Sequence, residues 1–315
     1  MLSLKTVLVT GANGFIGKSL VGALGRTYKV RAAVRNAEQL NPPLSTTAEG
    51  LVSVGNITKD TDWHEAVEKV DTVIHLAARA HVTSESAVNP LSEFRNVNRD
   101  GAVELLCQAA ASGVRRFVFV SSIGVNGAVT HGEAFSEDQK VNPISDYAIS
   151  KYEAEQQLTL EAEKLGIELV IVRPALVYGE AAPGNIERLR GLVTKVPLLP
   201  FGMVNNRKSF VSINNLVSLL ELCIYHPDAA GQTFLAADNE TISTRQLVDA
   251  LAKAEGVSLI QLPIPVRLMK FVAGLVGKSS LASQLFDDLE ISNAKARKRL
   301  GWNPTSCIDT AFIKK

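Results

Sequence analysis

Eight residues near the start of the chain, Thr10 to Gly17 (TGANGFIG), limit what it can fold into more than any other stretch. Before them, Lys5 to Thr10 contains the apolar run Val7-Leu8-Val9, as a strand buried on both faces would. After them, Phe15 to Leu24 repeats apolar residues at helical spacing. The three glycines, Gly11, Gly14 and Gly17, permit a tight turn, a close approach of backbone to a pyrophosphate, and close packing of the new helix on the sheet. Unpaired N–H groups at the start of such a helix attract an anion. Strand, glycine turn and helix in this order predict the dinucleotide cradle of a doubly wound α/β domain, with Gly11, Asn13, Gly14, Phe15, Ile16 and Gly17 around the phosphates. A glycine-rich strand-to-helix turn that binds nothing shares the pattern, so its neighbours must decide.

Tyr28 to Val34 reads as the second strand, and Arg35 falls eighteen residues after Gly17, where NAD-binding domains place an acid on the ribose 2′-hydroxyl. A guanidinium cannot accept that hydrogen bond but pairs well with a 2′-phosphate, and Arg31 lies on the same strand. NADP is therefore the expected cofactor, with NAD the alternative. A short strand from Leu51 to Val54 follows the polar loop 41–50, and the turn Gly55-Asn56-Ile57 is placed to line the adenine. Thr61 to Lys69 reads as a helix, Thr72 to Leu76 as a strand running into the small Ala77 and Ala78, and Leu91 to Ala111 as one long helix. Arg116 to Ser122 is a fifth strand ending in two hydroxyls, at the edge where open parallel sheets keep their active sites.

Composition narrows the function. A net charge of +1 without a basic stripe argues against nucleic acid, and 46% hydrophobic residues supply a substantial core. Cys107, Cys223 and Cys307 form no CxxC pair, which suits a reducing compartment. His75 and His81 invite a metal, but no further ligand stands at recognisable spacing, so none is expected. The first strand begins within a few residues of Met1 and no apolar run is long enough to span a bilayer, so the cytoplasm is the expected location.

Tyr147 and Lys151 (YAISK) are four residues apart and so share one face of a helix that runs to about Leu165. A phenol of pKa about 10 is a poor acid or base at neutral pH, and a nearby ammonium favours its ionised form. With the strand ending in Ser121 and Ser122, the pair can move a proton.

TGANGFIG, HLAA at 75–78, VSS at 120–122, YAISK at 147–151 and RPALVYG at 173–179 resemble the extended short-chain dehydrogenases/reductases, in particular their nucleotide-sugar epimerase and 4-keto reductase branch. The resemblance covers nearly the whole chain. It implies a Rossmann domain over 1–175, rejoined at about 211–237, and a smaller mixed α/β substrate lobe from 176–210 and 238–315. It also implies that Tyr147 is the acid/base, that Lys151 binds the nicotinamide ribose and lowers the Tyr147 pKa, and that Ser122 holds the reacting oxygen. Leu76, Ala77, Ala78, Asn98 and Pro174 are implied at the cofactor. Arg79, Ser122, Asn185, Phe201, and Arg207 or Lys208 are implied at a UDP-sugar. The second basic residue common near the C-terminal end of such enzymes has no match in SQLFDDLEIS.

Pro265 to Lys278 is apolar with three basic residues, and is expected to roof the substrate lobe rather than to lie on a membrane. A monomer or homodimer is expected. The resemblance points first to reduction of a UDP-4-keto-6-deoxy-HexNAc for surface polysaccharide, with a UDP-hexose (glucose or N-acetylglucosamine) 4-epimerase as the alternative. A 4,6-dehydratase needs a proton-transferring pair beside Ser122, where this chain has Ile123 and Gly124. A non-catalytic cofactor-binding regulator or scaffold is the reading from another class, and intact Ser122, Tyr147 and Lys151 speak against it. If Arg35 selects the 2′-phosphate, the purified protein binds NADP(H) more tightly than NAD(H) and Arg35→Asp moves the ratio of the two affinities towards NAD. Equal or tighter binding of NAD(H) by the unchanged protein contradicts that assignment.

Overall fold

A computed structural model of the chain describes residues 5–38, 48–80, 89–306 and 308. His81, Cys307 and most of the loop 41–50 lie outside the described residues. The chain opens with β1 (Thr6–Thr10), α1 (Phe15–Leu24), β2 (Lys29–Val34), β3 (Ala48–Ser53), α2 (His64–Val67) and β4 (Thr72–His75). α3 (Pro90–Arg95) passes through a π-helical turn (Asn96–Asp100) into α4 (Gly101–Ala111), and β5 (Arg116–Val120), α5 (Asp146–Leu165) and β6 (Glu168–Pro174) follow. Beyond them come β7 (Leu176–Tyr178), α6 (Asn185–Lys195), β8 (Leu198–Leu199), β9 (Lys208–Ser212), α7 (Ile213–Tyr225) and β10 (Gln232–Ala236). The last elements are β11 (Thr241–Ile242), α8 (Thr244–Glu255), β12 (Ile260–Gln261), α9 (Val266–Leu275), α10 (Ser279–Phe286) and α11 (Ala294–Leu300).

Seven parallel strands form one sheet in the order β10-β6-β5-β4-β1-β2-β3. Every residue of β4 and β5 is buried, as strands covered by helices on both faces must be. One face packs against α1, α7 and α11 through residues such as Leu20, Leu24, Leu216, Leu220 and Leu300. The other packs against α4 and α5 through Leu105, Leu106 and Leu158. Strand order reverses between β1 and β4, which opens a crevice at their carboxyl ends. A separate core of Ile186, Leu189, Phe201, Leu247 and Leu251 holds the lobe together around the small β11-β9-β7 and β12-β8 sheets.

Four expectations change. The helix expected over Thr61–Lys69 shrinks to α2, because Lys69 takes a left-handed conformation (φ 55°) and the Arg31 guanidinium binds the carbonyls of Glu65, Ala66 and Glu68. The single helix expected over Leu91–Ala111 contains the π-turn, which buries Asn98 completely. The C-terminal helix α11 and Trp302 belong to the core of the seven-stranded sheet, not to the lobe. Finally, α9 covers the lobe core only through the half-buried Val266 and Met269; none of its residues is fully buried, and Leu268, Phe271, Val272 and Leu275 are 50–73% exposed.

A buried ion pair fixes α5 to the sheet. Arg173 of β6 donates to both carboxylate oxygens of Glu155 (2.9 and 2.5 Å) and to Asn126 Oδ1 (2.9 Å), with both charged side chains under a tenth exposed. Glu155→Ala leaves the guanidinium buried without its counter-charge, and should lower stability by about 3–5 kcal/mol in urea unfolding. A loss under about 1 kcal/mol contradicts the pair's structural role.

Candidate active site

At the crevice, β1 ends in Thr10 and the chain turns through Gly11 in a left-handed conformation (φ 63°). A Cβ on Gly11 would lie 2.9 Å from the Ala77 nitrogen, so the loop after β1 and the end of β4 are in backbone contact. A Cβ on Gly17 would lie 2.3 Å from the Gly11 carbonyl oxygen, so only glycine lets α1 start this close to the loop. Gly14 caps α1 without a side-chain hydrogen bond, and no acid stands in the first turn. Helix-start N–H groups thus face outward beside a loop too tight for side chains. These residues fit a dinucleotide pyrophosphate. Thr10 Oγ1 accepts from the Ala77 amide (3.2 Å) and bonds His75 Nδ1 (2.8 Å), tying the two strand ends together.

Arg35 lies just past β2, exposed, and its carbonyl accepts from the Gly55 amide (3.1 Å). That bond brings the turn of Asn56 and Ile57 beside it, and Ile57 packs on Gly101. The Arg35 side chain has no ion-pair partner among the described residues. Arg31 does not assist it, since its guanidinium closes the end of α2.

The carboxyl end of β5 and the start of α5 carry the residues expected to react. Ser122 adopts extended backbone after β5 and its Oγ accepts from the Gly124 amide (3.1 Å). Ser121 turns inward: it is 3% exposed, and its hydroxyl has no partner among the described residues. Gly124 fits between Ser122 and α5, for a Cβ there would meet Ala148 Cβ at 3.3 Å and Ser122 Oγ at 3.4 Å. Ser145 caps α5 by accepting from the Ala148 amide, which sets Tyr147 in the first turn and Lys151 one turn later. Asn98 anchors this turn. Its Oδ1 accepts from the Arg79 amide (2.8 Å) and its Nδ2 donates to the Arg79 carbonyl (3.1 Å) and Ser150 Oγ (3.0 Å). Ser150 in turn donates to the Tyr147 carbonyl (2.8 Å). Phe94 meets the Tyr147 ring edge-on at 6.2 Å, and the Arg79 guanidinium lies 5.4 Å from the centre of Phe94.

Burial dominates the electrostatics. Lys151 is 1% exposed with its Nζ 3.9 Å from the centre of the Phe119 ring, and desolvation brings its pKa down to about 7 against the pull of Glu155. Burial pushes Tyr147 up to about 12, so Lys151 does not lower it as the sequence led one to expect. The ammonium is itself half-neutral near pH 7 and is directed at Phe119. His75, fully buried and stacked on Phe119, falls to about 3 and stays neutral. It is a packed strand residue, and the described residues contain no cluster able to hold a metal.

The structure disperses the residues expected at a nucleotide sugar. Pro174 is buried at the end of β6. Asn185 opens α6 and donates to Gln284 (3.2 Å). Phe201 is a correction: it is 5% exposed in the lobe core, its ring against Phe286 at 6.2 Å, and presents no open face to cover a base. Arg207 is exposed and paired with Glu290 (2.7 Å), whereas Lys208 is buried, its pKa lowered by desolvation near Asp287 and Asp288. A cleft of about 600 Å³ opens between the segment after β5 and the end of α10, lined among others by Asn126, His131, Lys140, Asp287 and Asp288; neither Ser122 nor Tyr147 lines it. Sequence reasoning missed this wall, and also Ser150, although its spacing of three from Tyr147 placed it on the same helix face.

A family profile described as the NAD dependent epimerase/dehydratase family matches residues 7–237. The chain belongs to that family. A UDP-glucose 4-epimerase of Vibrio cholerae is 40% identical over 312 residues, covering 98% of this chain and 93% of that protein. An N-acetyl-alpha-D-glucosaminyl-diphospho-ditrans,octacis-undecaprenol 4-epimerase of Escherichia coli O157:H7 is 24% identical, covering 84% of this chain and 77% of that protein. Among solved structures, the UDP-glucose 4-epimerase of Thermotoga maritima with UDP-glucose superposes with a TM-score of 0.77 at 22% identity, over 98% of this chain and 96% of that one. The chain is thus a nucleotide-sugar enzyme of the epimerase/dehydratase type, with a nicotinamide dinucleotide as cofactor; structural neighbours carry NAD or NADPH.

Lys151 has a measurable cost. Its pKa is about 7 in the fold and 10.5 in the unfolded chain, so its burial destabilises the protein fully below pH 7 and progressively less as pH rises to 10.5. The cation over Phe119 offsets part of this, about 0.5–2 kcal/mol. Lys151→Met should therefore raise Tm at pH 7, with a gain that shrinks towards pH 10. A gain that is absent, or that grows with pH, contradicts the buried-ammonium reading.

Proposed function

We propose that the protein is a UDP-sugar 4-epimerase, with Ser122, Tyr147 and Lys151 at its reacting centre. The observation that carries this is the start of α5, where Asn98 ties Tyr147, through Ser150, to the chain after β4 whose Ala77 meets the glycine cradle, and where Gly124 lets Ser122 pack against Ala148. The 40% identity to a UDP-glucose 4-epimerase supports epimerisation ahead of the 4-keto reduction that the sequence suggested first. What the dinucleotide supplies when bound is reversible hydride acceptance at carbon 4.

The protein's own groups do the rest. Tyr147 takes the proton of the carbon 4 hydroxyl and later returns it, while Ser122 donates a hydrogen bond to the same oxygen. A phenol of pKa about 12 needs a positive field to accept the role of base, and Lys151, one turn away, can supply it only while protonated and turned from Phe119 towards the phenol. Gly11, Asn13, Gly14, Phe15, Ile16 and Gly17 would hold the pyrophosphate of the cofactor, with Asn56, Ile57, Leu76, Ala77, Ala78 and Pro174 around its remaining parts. Lys208, with Arg79 and Asn185, is the group we assign to the sugar nucleotide, because Arg207 is already paired. The neighbours of Ser122 fit no dehydration, since Ile123 is buried and Gly124 carries no proton.

One observation favours a second reading. Arg35 is exposed and has no ion-pair partner among the described residues, which suits a 2′-phosphate and so the reductive cofactor of a UDP-4-keto sugar reductase. The loss of Arg31 from that site leaves it with one cation, and for this reason the epimerase stands first. In either reading the work is expected in the cytoplasm, supplying surface polysaccharide.

Incubation with UDP-glucose or UDP-N-acetylglucosamine and no added reductant should give the 4-epimer. Tyr147→Phe should cut turnover by about two to four orders of magnitude while folding stays intact. Consumption of NADPH with a UDP-4-keto sugar, and no epimer from any UDP-hexose, would replace the epimerase reading with the reductase. Near-full turnover by Tyr147→Phe would remove Tyr147 from the chemistry and bring His131, on the cleft wall, forward as the acid.

A further inference from the structure

Far from the cradle, the lobe carries an apolar surface that the sugar chemistry does not use. Eight of the sixteen exposed large apolar side chains among the described residues fall between Ile260 and Leu281. Leu268, Phe271, Val272, Leu275 and Val276 follow the i, i+3, i+4, i+7, i+8 spacing of a single helical face, four of them on α9 and Val276 at its cap. Phe271 is 65% exposed and Leu275 73%. The helix is held by Val266 and Met269, which pack on the lobe core from another side. An amphipathic helix that turns its apolar face to water instead of to the core is a site awaiting a cover.

The charges say what that cover is. From Gly256 to Phe286 the chain has three basic residues, Arg267, Lys270 and Lys278, and no acid. Lys270 is paired with Asp287, but Arg267 and Lys278 are exposed and have no ion-pair partner among the described residues. A second copy of the chain docked through this face would bring basic residues to basic residues with no acid to receive them. A bilayer with anionic headgroups meets both features, taking the apolar side chains into the headgroup boundary and the basic ends at its phosphates. α9 has ten residues, and no helix among the described residues is long and apolar enough to cross a membrane, so the element lies on the surface.

We propose that α9 and the turn into α10 dock the protein on an anionic membrane surface, with Leu268, Phe271, Val272 and Leu275 immersed and Arg267 and Lys278 at the lipid phosphates. The segment packs on the lobe through Val266 and Met269, but the rest of its apolar surface faces away from it. α10 leads from this face to Phe286, Asp287 and Asp288, which line the cleft, so docking holds the cleft next to the bilayer. The inference stands whichever sugar reaction the cleft serves.

The test is flotation of the full chain with vesicles of phosphatidylcholine and phosphatidylglycerol at about 3:1, against pure phosphatidylcholine vesicles. The unchanged protein should float with the anionic vesicles and release with salt. Phe271→Ser with Leu275→Ser should weaken partitioning by about tenfold or more. Arg267→Gln with Lys278→Gln should weaken it about tenfold on anionic vesicles only. Both double variants replace exposed residues and should keep the thermal unfolding profile, which separates lost docking from lost folding. No flotation, or flotation that neither double variant changes, overturns the proposal. So does a concentration-dependent dimer that Phe271→Ser with Leu275→Ser dissolves while no variant floats, since the face would then join two copies.

Discussion

A lysine ammonium buried against an aromatic ring is the constraint around which this site is built. Lys151 loses its water to sit 3.9 Å from the centre of Phe119, on a strand whose every residue is buried. The Phe119 ring and the Glu155 carboxylate offset only part of the lost hydration. The burial persists because α5 is held from several directions: by the Asn98–Ser150 bond at its first turns, by the Glu155–Arg173 pair one turn further on, and by Ala154 and Leu158 in the core. The helix cannot roll away to rehydrate the lysine without breaking a buried ion pair and a buried amide bond together. The same burial raises Tyr147 and lowers Lys151, so each neighbour resists ionising until charge arrives between them.

The cofactor side obeys a steric constraint. Gly11 and Gly17 allow the loop, the end of β4 and the start of α1 to touch through backbone alone, and Thr10 bonds the Ala77 amide across the same gap. A phosphate held there would meet main-chain N–H groups, which side-chain changes cannot easily remove. The π-turn links the two halves of the site. By widening one helical turn it turns Asn98 inward, where one amide side chain holds both the Arg79 backbone after β4 and the start of α5.

What the sequence disclosed was local. The glycine loop, the alternation of strands and helices, and the spacing of Tyr147 and Lys151 each follow from residues within one turn or one strand, and these pointed to the family. What it hid was set by distant packing. Arg31 reads as a cofactor ligand until α2 is seen to end against it, and Phe201 reads as a base cover until Phe286 closes over it. The sequence of α9 shows an apolar face but not which side of the molecule it meets; only the placement of Val266 and Met269 on the lobe core leaves Phe271 and Leu275 outside. Lys208 and Arg207 are adjacent in sequence and opposite in fate, because β9 starts at Lys208 and buries it, whereas Arg207 stands just before the strand and pairs with Glu290 at the surface.

The most direct test of the central claim follows the hydrogen on carbon 4. A UDP-hexose deuterated at that carbon is incubated with the protein and no added nicotinamide reductant, and the products are resolved by NMR. If Ser122, Tyr147 and Lys151 run a reversible oxidation in a closed site, the 4-epimer forms and keeps its deuterium at carbon 4. Epimer carrying solvent hydrogen at that carbon, or no epimer from any UDP-hexose, contradicts the account.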